Sequence, residues 1–376
     1  MRFLPSLRRL SGSLDRLLRT EYPAFILGVP PRRPRPLAFV YHDVDPGAFA
    51  LDLEFLAENG YRTLTTTEYV RAGAAGEPGR AVVLTFDDAR RNFWEVAFPL
   101  LQRFDVRATL FVPTSWPAGA GGEPEAPERE LFMTWEELRA CARSGLVDVE
   151  PHGHRHALVY AGTGVAGFVS PELLARYDVF EWPMRRESGA DVLGRPPLGT
   201  PIYQSTPLLS ARFRLLEDPA PVRACRALVA GEGGAAFFAR RDWESRLRAA
   251  HARAAGRRLR WTALGDAAFR TLVASEFELA RHRFERELGR RPRYWAYPWM
   301  LGSGLSLELA AGAGFEAVFG VGIDFRRAER LRGPLPAFAR LKGDWLRFLP
   351  GRRRRDLLRV LPGKLTHLIH SGHLSH

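Results

Sequence analysis

The run Ala81-Val82-Val83-Leu84-Thr85-Phe86 is apolar and largely β-branched, follows the turn signal Pro78-Gly79, and stops at two adjacent carboxylates, Asp87 and Asp88. A run of this kind fits a buried strand. In parallel α/β folds the active site gathers at the end of such strands, so the carboxylates stand where chemistry is expected. After a helix, the strand Arg107–Val112 and another helix, the chain reaches a second short strand, Leu146-Val147-Asp148-Val149-Glu150. His152 and His156 come just beyond it. Histidines four apart fit one helical turn and would point the same way.

Two imidazoles and one carboxylate form the facial set that holds a catalytic divalent ion while leaving positions open for water and substrate. The neighbouring carboxylate is then free to act as a base. Each half alone has an ordinary reading, since an Asp pair at a strand end often caps a helix and a histidine-rich loop is often solvated. Their order and strand context together favour a metal site.

These residues carry a family resemblance. The segment Val82–Val112 resembles the first motif region of the polysaccharide deacetylases, carbohydrate esterase family four, in which the common form is TFDDG. Trp135–Leu138 through His156-Ala157-Leu158 is similar to the second region, where a histidine pair precedes a leucine. Phe39–Val44 and Asn59–Leu64 resemble the opening strand and the loop into the next one. Tyr294–Trp299 is similar to the third motif in a YPxG variant, and Ala313–Val318 to the helix and strand that follow. The resemblance spans roughly 37–159 and 274–341.

The resemblance implies an incomplete, TIM-like (β/α) barrel. It implies that Asp87 is the general base and that Asp88, His152 and His156 are the metal ligands. Tyr297 and Pro298 would form part of the groove wall around the acetyl group. By their own placement, Trp299 beside the third motif and His42 at the end of the first strand are candidates to line the substrate site, a capping role being equally open to His42 with Asp43. The ion would be Zn²⁺, with Co²⁺, Ni²⁺ or Mn²⁺ as alternatives, and the reaction hydrolysis of an N-acyl group on an amino sugar of a glycan or glycolipid. A late L-x-H motif, matched by Leu368-Ile369-His370, implies that His370 protonates the leaving amine. Three positions depart from the pattern. Ala89 stands where the family has Gly, so a positive φ there would be strained. Trp299-Met300 replaces an aromatic-Gly pair, and Ala296 occupies a position where many members carry an arginine that orients the base.

Three hundred and seventy-six residues with 46% hydrophobic content suffice for one large barrel or two domains. Only Cys141 and Cys225 occur, so neither a disulfide framework nor a thiolate metal set is expected. The net charge of +13 rests almost wholly on arginine, since Lys342 and Lys364 are the only lysines. Such charge favours an anionic partner, an acidic glycan or anionic lipid. No nucleic-acid partner is expected, because no helix-turn-helix, zinc-finger or RNA-binding signature is present. Met1–Thr20 reads as a basic amphipathic helix, and Arg352–Arg355 followed by Leu357, Leu358, Val360 and Leu361 as a second basic-amphipathic element; both are compatible with docking on a membrane surface. Without an apolar run after the N-terminal charges, a cytoplasmic location, peripheral to the inner membrane face, is expected.

The expected organisation is a basic N-terminal segment and Pro-rich linker over 1–36, the first part of the barrel over 37–160, an insertion on the site face over 161–261, the second part over 262–349 and a basic tail over 350–376. His154 is expected to face away from the site, His251 and His282 to be exposed, and Trp295 with Trp299 to be available for stacking on a sugar. Two further functions fit the same residues: a carbohydrate-binding relative of weak activity, and a membrane-surface scaffold.

Overall fold

A computed structural model describes residues 36–72, 80–118, 129–256, 261–320 and 333–355. The N-terminal segment, His370 and the tail beyond Arg355 lie outside the described residues. No helix among those described is long and apolar enough to cross a membrane.

The chain opens with β1 (Leu37–Tyr41) and α1 (Pro46–Glu58). Asp45 starts α1 by accepting from the Ala48 backbone N–H, and Pro46 occupies the first turn, where its missing donor costs nothing. The capping role open to His42 and Asp43 therefore falls to Asp45. Next come β2 (Arg62–Leu64) and β3 (Ala81–Phe86), all six residues of β3 being buried. A π-helical turn, Phe93–Ala97, leads into α2 (Phe98–Phe104), followed by β4 (Ala108–Val112), α3 (Trp135–Arg143) and β5 (Val147–Pro151). A capping box between Thr134 and Glu137 fixes the start of α3.

Then the pattern changes. β6 (Leu158–Phe168) and β7 (Pro201–Pro207) form an antiparallel ribbon with register shifts, and α4 (Pro219–Gly231) packs with α5 (Trp243–Ala255). Their own apolar cluster joins Phe168, Cys225, Val229, Phe237, Leu247 and Ala250. The 3₁₀ turn Gly234–Ala239 precedes α5. His251, expected to be exposed, is buried and shares a hydrogen bond with the Tyr203 hydroxyl at 2.9 Å.

The second barrel part comprises α6 (Asp266–Leu288), β8 (Tyr294–Ala296), α7 (Gly304–Gly312), β9 (Ala317–Phe319), β10 (Ala337–Phe338) and β11 (Arg340–Lys342). All ladders of the barrel sheets are parallel: β11-β1-β3-β4-β5, with β2 also on β3, and β8-β9-β10. Ala339 alone separates β10 from β11, so the chain itself carries one sheet into the other. At the opposite seam no ladder joins β5 to β8 among the described residues. Buried Glu150 spans it, accepting from the backbone N–H groups of Arg293 at 2.8 Å and Tyr294 at 3.1 Å. The result is an incomplete, TIM-like barrel whose parallel strands all point the same way, as the sequence implies.

Candidate active site

The β1–β3 register pairs Tyr41 with Phe86, and the Asp87 N–H donates to the Tyr41 carbonyl at 2.9 Å. Exposed His42 is thereby held at the strand ends, next in line to Asp87. Similarly, β4–β5 pairing carries His152 to the top of the sheet, where its N–H donates to Val112 O at 2.7 Å.

Asp87 and Asp88 are both buried but have different partners. Arg340, wholly buried on β11, donates through Nη1 to Asp87 Oδ1 at 2.6 Å and through Nη2 to Oδ2 at 2.8 Å. This two-pronged geometry fixes the carboxylate plane. Burial alone would raise the pKa of Asp87, but the Arg340 guanidinium and then His152 outweigh it and hold the carboxyl below its ordinary value. The base-orienting arginine, whose expected position is filled by Ala296, is supplied from β11, two strands away from β3 in the same sheet. Its sequence signal is slight: Arg340 is one of two cations in the three-residue strand Arg340-Leu341-Lys342, buried where Lys342 is exposed.

Asp88 Oδ1 lies 3.7 Å from His152 Nε2 and 3.4 Å from His156 Nε2, and has no hydrogen-bond partner among the described residues. The three ligand atoms lie within 4.8 Å of one another. His152 Nδ1 is bonded to the Ala296 carbonyl at 3.1 Å, a contact that requires the proton on Nδ1 and leaves Nε2 a lone pair facing both carboxylates, Asp87 Oδ2 at 3.4 Å and Asp88 Oδ1 at 3.7 Å. Burial lowers the pKa of both imidazoles, with His152 and Arg90 adding to the effect at His156 and the two aspartates opposing it at His152. Two neutral nitrogens and an orphaned carboxylate oxygen are the donor set of a divalent ion, and the residues present fit one.

The histidines do not sit on a helical turn. They occupy an irregular loop in which Gly153 takes φ 84° and His156 φ 52°. A Cβ at residue 153 would meet Pro298 Cγ at 3.3 Å, so the close approach of the β8 loop also calls for glycine. Buried Glu276 on α6 grips this loop: Oε2 accepts from the backbone N–H groups of His154 at 3.1 Å and Arg155 at 3.0 Å, and Oε1 pairs with the Arg155 guanidinium at 2.5 Å. His154 turns aside to Thr114 Oγ1, at 2.9 Å from its Nδ1, as expected.

Asp88, Ala89, His156, Trp299 and Met300 all have φ between 50° and 73°. Five non-glycine residues in the left-handed region within one site mark stored backbone strain. Ala89 adopts the positive φ that its missing glycine would have made easy.

Trp299 packs its ring 4.2 Å from the His156 ring, and Phe180, in the 3₁₀ turn Val179–Glu181, lies 4.0 Å away on the same imidazole. Trp116 and Phe132 complete this aromatic cluster. Two expected substrate contacts are corrected. Tyr297 is fully buried among Trp295, Phe277 and neighbouring apolar groups, its ring against Gly302, and it has no face free for a sugar. Trp295 is likewise enclosed, 4.4 Å from Phe277 and 5.0 Å from Phe315. Both faces of a parallel strand are covered, so aromatic residues on β8 go to the core. Pro298 is buried against the ligand loop.

Residues 74–172, which contain all four clustered groups, match the family model described as "Polysaccharide deacetylase". Over that stretch the chain is similar to the polysaccharide deacetylase family. The chain is 35% identical over 119 residues to the poly-beta-1,6-N-acetyl-D-glucosamine N-deacetylase of Escherichia coli K12, a match covering 30% of this chain and 18% of the relative. It is 27% identical over 114 residues to the enzyme of that name from Staphylococcus aureus MSSA476, covering 30% of this chain and 38% of the relative. The chain thus spans well under half the length of these curated relatives. Among solved structures, the de-N-acetylase of Aggregatibacter actinomycetemcomitans aligns over 82% of this chain and 94% of its own chain, with a TM-score of 0.50 and 16% identity. The BpsB deacetylase domain of Bordetella bronchiseptica aligns over 82% and 95%, at 0.50 and 20%. These likenesses show the shared fold.

Proposed function

We propose that this chain is a metal-dependent hydrolase that removes acetyl groups from N-acetylglucosamine residues of a glycan. The observation that carries the reading is the convergence of the orphaned Asp88 Oδ1 with the His152 and His156 Nε2 atoms beside an Asp87 clamped by Arg340. The names of the sequence relatives support the substrate class.

Asp88, His152 and His156 would hold the ion, Zn²⁺ being our first choice; when bound it supplies Lewis acidity toward water and the amide carbonyl. Asp87 takes the proton of the attacking water. Arg340 serves this role twice, keeping Asp87 ionised and preventing its carboxylate from rotating away. The departing amine needs a proton, and His42, exposed at the strand ends beside Asp87, is the described imidazole free to give it. Trp299 and Phe180 exclude water from one side of His156.

The test is acetate release from β-1,6-linked N-acetylglucosamine oligomers by the metal-loaded protein. Asp87→Asn should keep the metal and slow turnover by about 10²–10⁴-fold. No release from any N-acetylated glycan, or near-normal turnover in that variant, would refute the proposal.

A further inference from the structure

Arg90 lies two residues beyond Asp88, and its guanidinium sits between two rings, with Cζ 5.1 Å from the Phe132 centroid and 5.0 Å from that of Phe180. Its Nη2 donates to Asp178 Oδ1 at 2.7 Å, while its Nε stands 3.7 Å from Asp88 Oδ2. The two oxygens of Asp88 are therefore divided: Oδ2 faces a fixed cation, and Oδ1 faces the histidine pair with no hydrogen-bond partner among the described residues. Asp178 and Phe180 belong to the region between β6 and β7. Asp178 Oδ1 also accepts from the Phe180 N–H at 3.0 Å, so one short turn sets both the anchor of Arg90 and the ring that covers it.

We propose that Arg90 is a positioning residue of the metal site, held in place by Asp178, and that it occupies the outer oxygen of Asp88 so that this carboxylate meets the ion through Oδ1 alone. The inference rests on the metal reading of the site. Its physical content is a balance of charges. Asp178 draws the guanidinium outward and Asp88 draws it inward; Coulomb attraction at these separations is strong beneath the surface. Removing Arg90 frees Oδ2 and takes a positive charge away from the ion's neighbourhood, which favours tighter, two-oxygen binding. Removing the charge of Asp178 lets Arg90 close on Asp88, which weakens binding. A role confined to packing would weaken binding in both cases.

The experiment uses the apo full-length protein, measuring Zn²⁺ affinity by chelator competition and the visible spectrum of bound Co²⁺. Wild type is compared with Arg90→Met, Asp178→Asn and the double variant. Methionine can fill the slot between the rings, and asparagine keeps the cap on Phe180. Should Arg90→Met not fold, Arg90→Gln, whose amide can still bond Asp178, has the same expected direction. The expected result is about tenfold tighter Zn²⁺ binding in Arg90→Met, with a Co²⁺ spectrum altered by the extra oxygen, and roughly three- to tenfold weaker binding in Asp178→Asn. The double variant should match Arg90→Met, because Asp178 acts only through Arg90. Weaker binding in both single variants, or additive effects in the double, overturns the inference while leaving the metal site standing. A wild-type protein that binds neither ion overturns the metal reading and this inference together.

Discussion

β3 delivers Asp87 and Asp88 at the end of six buried residues laddered on both sides, whereas the region between β6 and β7 delivers Asp178 and Phe180 from a three-residue 3₁₀ turn and its cap. The Asp178 side chain is 41% exposed, that of Asp87 only 3%. The strand-end groups are held by backbone ladders and a buried two-pronged ion pair; Asp178 and Phe180 are held by one ion pair and ring contacts. Groups that tolerate little displacement sit on the first kind of support, and adjustment of the proposed metal site is left to the second.

The comparison breaks most visibly at Arg340. In Arg340→Met the buried Asp87 loses its counter-charge, and stability should fall by about 3–5 kcal/mol, read from chemical denaturation. The pH dependence has a definite sign. In the wild type the Asp87 pKa is lowered, so its contribution to stability is complete above the ordinary carboxylate range and disappears as pH falls through the depressed folded value. Without Arg340, burial is opposed by less, the pKa rises, and the acid limb of kcat/KM should move to higher pH. An unmoved limb would mean that Arg340 does not tune the base.

A smaller effect is expected at a ligand. His152→Ala or His156→Ala should each weaken metal binding by at least about a hundredfold; full stoichiometric binding in both would remove them from the site. Between β6 and β7, Phe180→Leu should weaken metal binding by no more than about tenfold, leaving most of the affinity to the barrel. A loss as large as that in His156→Ala would show that this region is as essential as a ligand. The smallest effect belongs to Ala89→Gly. Relief of a left-handed alanine, worth about 1–2 kcal/mol, is offset by a lost buried methyl of about 0.8 kcal/mol and by the greater freedom of glycine when unfolded. The net change in denaturation free energy should stay within about 1 kcal/mol.

The same division explains what the sequence made legible. Asp87, Asp88, His152 and His156 could be grouped because each follows a short apolar strand, and parallel strand ends share one face of a barrel. Spacing alone misled on the histidine loop, where Gly153 and a left-handed His156 do what a helical turn was expected to do. It also misled on Tyr297 and Trp295, since aromatic residues next to a motif look like sugar platforms until the neighbouring helices and strands are seen to enclose them. Arg340, Glu276 and Asp178 act on residues 253, 122 and 88 positions away, and no local pattern marks which of many arginines or carboxylates will arrive there. The irregular ribbon β6–β7, with its register shifts, gives no clean periodicity to read.

The pairing of Arg340 with Asp87 has a consequence for how the protein can be made and divided. During synthesis, the carboxylate emerges long before the guanidinium that will neutralise it, and the same holds for the histidine loop and Glu276. Until β11 has joined β1, the nascent polypeptide carries an acid that cannot be dehydrated cheaply, so the centre matures last, whatever the order in which the strands assemble. The stretch 74–172 that bears the family signature is therefore not a portable cassette: grafted elsewhere or expressed without the last strand, it would bring the reacting groups but not the charge that keeps them ready.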